Sequence, residues 1–174
     1  AFQIIKTKKG INMASGAILL KIKGKEYLFA DCSVQENPSA EELAEIAKLS
    51  AITFKNLTGK NARIAMLSYH TRSSEGNSEF FLKIRKATDI VRGKGLNVEG
   101  EIQLDAAIEK EISLRKKSKF IDANVLIFPD LDSGNIGYKL TQWLGGAQAI
   151  GPFLQGFAKP ISDLSRGASE DDIV

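Results

Sequence analysis

The sequence predicts an α/β domain with a largely parallel sheet and helices on both faces. Short apolar runs with the length of buried strands alternate with longer segments of helical periodicity. Parallel strands need crossover connections, and the second observation is that the intervening helical segments can supply them. A third is size, because 174 residues with 43% apolar and 26% charged residues suffice to bury the core of one such domain.

The first predicted elements are two strands, 17–22 and 26–30, joined by a tight turn. Because the connection is so short, we expect these strands to form a hairpin, placed at one margin of the sheet. The clearest helix begins at Ser39, where Glu42 three positions later completes a capping box, and it ends at Gly59.

The remaining predicted elements continue the alternation of strands and helices. In chain order they are a strand at 63–69, a helix at 78–93, a strand at 97–102, a helix at 104–114, a strand at 125–128 and a helix at 136–144. Ligands of such sheets bind in loops that follow strands. Three loops are therefore candidates for a binding site: 31–37, 70–77 and 130–135.

Composition excludes several function classes. The net charge is only +3 and the one dense basic cluster, 115–119, is interpreted as a solvated loop, with contact to polyphosphate or nucleic acid as the alternative. A single cysteine and a single histidine predict neither a disulfide nor a Cys/His metal site. No apolar run approaches the length of a membrane span and the start does not resemble a signal peptide, so we expect a cytoplasmic protein without membrane or nucleic-acid partners.

The end of the chain combines a hydroxyl, a permanent cation and a carboxylate. Ser165, Arg166 and Asp172 fall within eight positions on a glycine-flanked turn that leads into a predicted helix start. Backbone N–H groups at a helix start are unpaired, so an anion there gains several donors and the charge of Arg166. The segment predicts an anion site; a surface turn with a solvated arginine is the alternative, and Ser169 with Asp172 also fits the spacing of a helix cap.

Five segments spread over the chain carry the motifs of a known family. They are 31–33, 62–69, 100–107, 123–131 and 134–139. Their residues and order resemble phosphate acetyltransferases, which move an acetyl group between phosphate and coenzyme A, and whose near relatives transfer butyryl groups. The resemblance implies two α/β domains with a cleft between them. On that pattern residues 1–154 form the second domain, and 155–174 cross back to a first domain that this sequence lacks.

The resemblance also implies a reaction and a set of partners. The expected reaction is acetyl phosphate plus coenzyme A giving acetyl-coenzyme A plus phosphate, by direct thiolate attack in a ternary complex. Coenzyme A is then a substrate, and neither a cofactor nor a metal is expected. The expected partners are the N-terminal half of the enzyme and a second copy in a homodimer, and this chain alone is expected to be nearly inactive. A non-catalytic domain that binds acyl-coenzyme A or a protein remains an alternative, as does butyryl transfer.

The family's active-site serine and arginine match Ser165 and Arg166, and its proposed general base matches Asp172. Two roles for Asp172 remain open, general base or positioner of Arg166 and the thiol. A thiol and an aspartate differ by about 4.6 pKa units, so proton transfer between them is uphill by roughly 6 kcal/mol unless the site closes that gap.

Substrate-binding residues are expected where predicted strands begin or end. Ser68, Tyr69 and Thr71 close a strand and are expected to contact the pantetheine arm or the adenine, the alternative being that they are only polar residues at a strand end. Ser15 stands about where some relatives carry a cysteine that faces the cleft, so thiol reactivity is not expected here.

Asn135, Tyr138 and Lys139 form the last group of candidate substrate-binding residues. Gly134 and Gly137 between them allow close backbone approach, while a helix cap is the alternative role for Asn135. Four other residues are interpreted without a binding role: Cys32 as a buried small residue, and Met13, Met66 and Trp143 as packing residues.

Overall fold

A computed structural model describes residues 2–71 and 78–163 of the chain. Its strands β1–β7 are Ser15–Ile22, Lys25–Ala30, Ile64–Leu67, Val98–Ile102, Val125–Ile127, Gln148–Gln155 and Ile161–Ser162. Its helices α1–α6 are Phe2–Ile5, Ala40–Thr58, Glu79–Gly93, Leu104–Ile108, Lys110–Arg115 and Leu131–Trp143.

The strands form one sheet in the order β4-β3-β5-β2-β1-β6-β7. The first four are mutually parallel, and helices connect them in sequence, as the prediction of an α/β class requires. The last three pairs are antiparallel, so the sheet is mixed. The predicted class is confirmed, with the crossover helices belonging to the parallel block.

The β1–β2 hairpin is confirmed, but its predicted place at the sheet margin is wrong. The reason is β6, a strand that the sequence did not suggest because it contains Gly151 and Pro152. This strand pairs with β1 and continues the sheet outward. A register shift between Ala17 and Leu19 of β1 lies opposite this Gly-Pro pair, and such an irregularity accommodates a proline inside a sheet.

Two apolar clusters cover the two faces of the sheet. Alternate residues of β3 divide between them, since Ile64 and Met66 join the cluster beneath α2 and α3, whereas Ala65 and Leu67 join the cluster beneath α4, α5 and α6. This two-residue period is the expected consequence of burying a strand on both sides. The predicted three-layer arrangement is therefore confirmed.

Helix α2 is the element in which sequence and structure agree best. The Ser39 hydroxyl accepts the N–H of Glu42 and the Glu42 carboxylate accepts the N–H of Ser39, which completes the predicted capping box. Gly59 ends the helix in the left-handed conformation at φ 73°.

Two predicted helices differ from the observed ones. The segment 104–114 is split at Glu109, because the carbonyl of Ala107 accepts the N–H of Ala123 rather than being used only within the helix. The last helix begins at Leu131 instead of Ile136, because the Asp130 carboxylate accepts the N–H of Ser133 and caps it.

The packing predictions hold for three residues and fail for Trp143. Cys32 and Met66 are fully buried, and Met13 packs against the α2 cluster. Trp143 is 77% exposed, because it lies on the outer face of α6 together with Ile136, Leu140 and Leu144. Across the described parts of the chain, no helix combines the length and the apolar character needed to cross a bilayer.

Candidate functional site

The carboxyl ends of the parallel strands meet at one edge of the sheet, called here the carboxyl edge. Strands β2, β3, β4 and β5 end there at Ala30, Leu67, Ile102 and Ile127. The first residue of the antiparallel β1, Ser15, lies at the same edge, since Ala17 pairs with Ala30. The predicted loop 31–37 leaves this edge as expected, and the predicted loop 130–135 is shorter, because α6 begins at Leu131. Of the predicted loop 70–77, only His70 and Thr71 lie among the described residues.

Asp31 organises the loop that follows β2. Its carboxylate is 2% exposed and accepts four backbone N–H groups, from Gly16 at 3.0 Å, Ser33 at 2.8 Å, Val34 at 3.0 Å and Gln35 at 3.3 Å. Burial raises the pKa of the Asp31 carboxyl, and these four donors oppose that rise. The loop therefore has a fixed shape, which the sequence did not reveal because three of the donors lie close to Asp31 in the chain and look like an ordinary turn.

Ser15 is not on an open surface of this chain. It is completely buried, and its hydroxyl donates to Oε1 of Gln155 at 2.6 Å. The Ser50 hydroxyl of α2 donates to the same oxygen at 3.2 Å, while Nε2 of Gln155 has no partner among the described residues. Ser15 is thus one member of a buried polar group that joins β1, β6 and α2 at the carboxyl edge.

Ser68, Tyr69 and Thr71 follow β3 at the carboxyl edge. The Ser68 hydroxyl accepts the N–H of His70 at 3.2 Å, and the Thr71 hydroxyl accepts the N–H of Gln103 at 3.0 Å. These two hydroxyls therefore hold the turn and connect it to the start of α4. Tyr69 is 67% exposed, so of the three it presents the largest free side chain.

Tyr69 belongs to an aromatic cluster with residues at the start of α3. Its ring centroid lies 5.3 Å from that of His70, 5.8 Å from Phe80 and 5.2 Å from Phe81. These separations are typical of favourable tilted and edge contacts. The aromatic rings of this cluster form a surface beside the end of β3.

Asn135 joins α6 to the loop organised by Asp31. Its Nδ2 donates to the carbonyl of Cys32 at 3.0 Å, and it lies one turn inside α6, so the alternative role as a helix cap is wrong. Gly134 makes this contact possible, because a Cβ atom there would overlap the carbonyl oxygen of Asp31. The predicted close approach at Gly134 is confirmed.

Tyr138 and Lys139 lie one turn further along α6 than Asn135. Tyr138 packs against the cluster beneath α6, and burial raises its pKa, with a smaller contribution from Cys32. Lys139 is exposed, with its ammonium 5.8 Å from the centre of the Tyr138 ring. Asn135 is therefore the member of this group in direct contact with a loop of the carboxyl edge.

Lys83 of α3 is a residue of the carboxyl edge that sequence reasoning missed. Its ammonium donates to Oδ1 of Asn37 at 2.9 Å and to the carbonyl of Pro129 at 3.1 Å. It thereby bridges the loop after β2 and the loop after β5. Both partners are 46 positions away in sequence, so no local pattern indicates the bridge.

The predicted catalytic residues Ser165, Arg166 and Asp172 lie outside the described residues. The described chain ends next to β6, where Ile161 pairs with Leu154 in the outermost strand of the sheet. At the opposite edge of the sheet, a concavity of about 510 Å³ is lined by residues of α2 and by those near the starts of β3 and β4. It includes none of the predicted site residues.

Six side chains thus lie along the carboxyl edge or on the elements that border it, two of them, Ser15 and Asp31, being buried. They are Ser15, Asp31, Ser68, Tyr69, Lys83 and Asn135. Hydroxyl, amide and ammonium groups arranged on fixed loops can orient a polar ligand and stabilise negative charge on it.

Comparison with known proteins assigns this arrangement to a family. The sequence model described as "Phosphate acetyl/butaryl transferase" matches residues 1–174. A phosphate acetyltransferase of Thermoanaerobacterium thermosaccharolyticum is 47% identical over 185 residues, which cover 100% of this chain and 56% of that protein.

Solved structures agree with the sequence match. A phosphotransacetylase from Streptococcus pyogenes superposes with a TM-score of 0.89 at 44% identity, covering 98% of this chain and 54% of that one. The EutD phosphotransacetylase from Staphylococcus aureus gives 0.88 at 37% identity, covering 99% and 55%. The chain therefore spans about half the length of these relatives, and it belongs to the phosphate acetyl/butyryl transferase family.

Proposed function

We propose that this chain forms part of an acyltransferase that interconverts acetyl phosphate plus coenzyme A and acetyl-coenzyme A plus phosphate. The observation that carries the proposal is the family match over residues 1–174. The ordered polar groups at the carboxyl edge, where ligands of α/β sheets bind, support it. Acetyl transfer is preferred to butyryl transfer because relatives named phosphate acetyltransferase match the whole chain at 45–47% identity.

The proposed chemistry is a direct transfer within a ternary complex. The coenzyme A thiol loses its proton, the thiolate sulfur bonds to the acetyl carbonyl carbon, and the carbon–oxygen bond to phosphate breaks, which releases inorganic phosphate. Arg166 binds the phosphoryl oxygens and Ser165 hydrogen-bonds the reacting acyl group. Asp172 accepts the thiol proton or, in its other proposed role, positions Arg166 and the thiol.

Residues of the carboxyl edge bind and orient the substrates in this proposal. The exposed Tyr69 contacts the pantetheine arm or the adenine of coenzyme A, because a free ring next to other rings offers a stacking surface. The hydroxyls of Ser68, Thr71 and Ser15 act through the hydrogen bonds that shape their loops. Asn135 likewise acts by fixing the loop at Cys32.

Tyr138 and Lys139 are proposed as the outer part of the substrate site on α6. Lys139 is exposed beside the Tyr138 ring, so it can meet an anionic group that extends beyond the loops. This places their contribution farther from the reacting atoms than that of Asn135.

The other half of the site is proposed to come from a further domain. The chain covers 54–56% of the relatives described above, which leaves room for one. In this scheme residues 1–154 form the second domain of the enzyme and residues 155–174 cross back to the first. A chain without that first domain lacks half of the groups that orient the substrates, so it is expected to be nearly inactive.

A homodimer is also proposed, formed through the outer face of α6. Four large apolar side chains lie on that face at helical spacing with exposed fractions from 52% to 82%: Ile136, Leu140, Trp143 and Leu144. A contiguous exposed apolar stripe of this kind is typical of an interaction surface. A second copy of the chain can bury it in a symmetric contact.

The proposed activity is tested by joining the chain to the first domain of a relative. The chain alone and the chain joined to the N-terminal half of the Thermoanaerobacterium relative are assayed for acetyl-coenzyme A formation. We expect background turnover from the chain alone and at least about 100-fold more from the joined protein, because acyl transfer depends on orientation by both halves. Arg166→Gln should reduce that rate by about 100-fold, whereas Arg115→Gln, a change at the exposed end of α5, should leave it within twofold.

A folded joined protein without turnover contradicts the proposal. Calorimetry with coenzyme A then separates the remaining possibilities. Tight binding without turnover supports a non-catalytic acyl-coenzyme A-binding domain of the same fold.

A further inference from the structure

The side chain of Lys83 differs from the other basic side chains of α3 in the groups that it contacts. Helix α3 carries four basic side chains, and three of them pair with carboxylates: Arg85 with Glu101, Lys86 with Glu41 and Arg92 with Asp89. The Lys83 ammonium donates instead to the neutral oxygens of Asn37 and Pro129. Among the residues that the structure describes, no carboxylate lies within ion-pair distance of it.

The position of Lys83 places this charge, which forms no ion pair with a described carboxylate, at the carboxyl edge. An ammonium has three protons, and the two loop oxygens use two of them, so one donor remains. Asn37 precedes the start of α2 and Pro129 precedes the start of α6, so the charge lies between two loops already placed in the candidate site.

The surroundings of Lys83 strengthen its interaction with an anion. Burial lowers the pKa of the ammonium, and the nearby Asp130 opposes that shift, although Asp130 Oδ1 accepts the N–H of Ser133 as the cap of α6. The Phe80 ring lies 5.9 Å from the ammonium and replaces water on one side of it. The hydrogen-bond acceptors of Lys83 are neutral, and a partly desolvated cation interacts with an oxyanion more strongly than a fully hydrated one does, although the Asp130 carboxylate offsets part of that gain.

We propose that the Lys83 ammonium binds a phosphoryl oxyanion of a substrate at the carboxyl edge while it holds the loops at Asn37 and Pro129 together. This inference deepens the proposed function and rests on it for the identity of the substrate. The phosphoryl group belongs either to acetyl phosphate and its product phosphate, or to coenzyme A. A role restricted to tethering the two loops is the competing explanation.

Direct binding to the chain itself tests the inference without turnover. The chain is titrated with inorganic pyrophosphate and with coenzyme A while backbone amide shifts are followed by NMR. We expect shifts at Asn37 and Asp130, and an apparent dissociation constant five- to tenfold higher in Lys83→Gln. Lys86→Gln is the matched control, because Lys86 lies three residues further along α3 and pairs with Glu41, and it should change the constant less than twofold.

Lys83→Arg separates charge from tethering. If the residue binds the anion, arginine restores most of the affinity, because a guanidinium keeps the charge and its donors. A pure tether lowers the thermal unfolding temperature of Lys83→Gln but leaves its affinity equal to that of Lys86→Gln. That equality overturns the inference, and so does a wild-type chain whose edge amides respond to neither probe.

Kinetics of the joined protein identify the source of the phosphoryl group. Lys83→Gln raises the KM for acetyl phosphate if that substrate is bound, and the KM for coenzyme A if the charge contacts coenzyme A. If Lys83 contacts the 3′-phosphate of coenzyme A, the KM difference between wild type and Lys83→Gln disappears when 3′-dephospho-coenzyme A is the substrate. A kcat that falls while both KM values stay unchanged contradicts ground-state binding by Lys83. An inactive joined protein would count against the proposed function, and the titrations would still decide on Lys83.

Discussion

The two edges of the parallel sheet use their polar side chains differently. At the edge where β3 and β5 begin, the Arg63 guanidinium donates to the Asp122 carboxylate at 3.0 Å, so these charges neutralise each other. The carboxyl edge also has an ion pair, Arg85 with Glu101 near the end of β4. Among the residues that the structure describes, however, Asp31 there accepts backbone N–H groups and Lys83 donates to neutral oxygens. The first arrangement fastens the fold, whereas the second fixes loops and leaves charge available for a ligand.

The difference between the two edges indicates which polar groups of the sheet can serve a ligand. An exposed ion pair contributes about 0–1 kcal/mol to stability, and each of its two charges is compensated by the other. A buried carboxylate that holds four backbone donors instead defines the shape of a loop, and the loop determines what a neighbouring cation can reach.

Replacing Asp31 should cause the largest loss. Asp31→Ala removes the acceptor of four backbone N–H groups, one of them on the buried Gly16, and we expect a loss of about 3 kcal/mol in the free energy of unfolding. Urea denaturation measures it. Asp132→Ala, an exposed carboxylate on α6, is the control and should change stability by less than about 0.5 kcal/mol. Equal losses of stability in the two variants would show that the Asp31 carboxylate does not hold the loop after β2.

Gly134→Ala should separate α6 from the loop after β2. The new Cβ would overlap the carbonyl oxygen of Asp31, a backbone atom that cannot move without the loop, so we expect a loss of about 1–3 kcal/mol. Thermal unfolding gives the value. Gly93→Ala on α3 meets open space and should be neutral or slightly stabilising. An unchanged Gly134→Ala protein would show that α6 does not rest on this loop.

Asn124→Ala should weaken the edge where the strands begin without affecting ligand binding. Its Oδ1 accepts the N–H of Arg63 at 2.7 Å and its Nδ2 donates to the carbonyl of Asn61, so its loss should cost about 1–2 kcal/mol. The exposed Asn97→Ala is the control for stability. Coenzyme A binding, measured by calorimetry, should stay within twofold of wild type. A larger change in the affinity for coenzyme A would show that the edge where the strands begin also contributes to binding.

Asp105 gives the smallest predicted effect, which depends on pH. The hydrogen bond from Lys116 lowers the pKa of the Asp105 carboxyl, so its contribution is present above the ordinary aspartate pKa and is lost as pH falls through the lowered value. Because both side chains are partly exposed, we expect at most about 1 kcal/mol. The stability difference between wild type and Asp105→Asn should shrink as urea denaturation is repeated at falling pH. A difference that is constant or grows would contradict this assignment.

Local signals in the sequence predicted local structure well. The Ser39 capping box and Gly59 fixed both ends of α2, because each is a contact between residues a few positions apart. The start of α6 also has a local signal, since the Asp130 carboxylate caps the helix by accepting the N–H of Ser133, but Pro129 and the two glycines at 134 and 137 favoured a later start. Strand β6 was missed because Gly151 and Pro152 indicate a turn unless the partner strand is known.

The site was only partly predictable, since its contacts join distant segments. The predicted strand ends placed Asn135 and Tyr69 near the carboxyl edge, where the structure has them, but the partner of Asn135 is Cys32, 103 positions away. The bridging role of Lys83 and the buried state of Ser15 depend on tertiary contacts that have no periodic signature. The packing predicted for Trp143 failed because the apolar face of α6 turns outward.

The most direct test of the account is to map coenzyme A on the chain by amide NMR titration. If the carboxyl edge binds coenzyme A, shifts are confined to residues 31–37, 68–71 and 128–135. The competing location is the concavity at the opposite edge, where Lys55 and Lys94 line the surface near Leu96. Shifts centred on that concavity, with the carboxyl edge unchanged, would contradict the account.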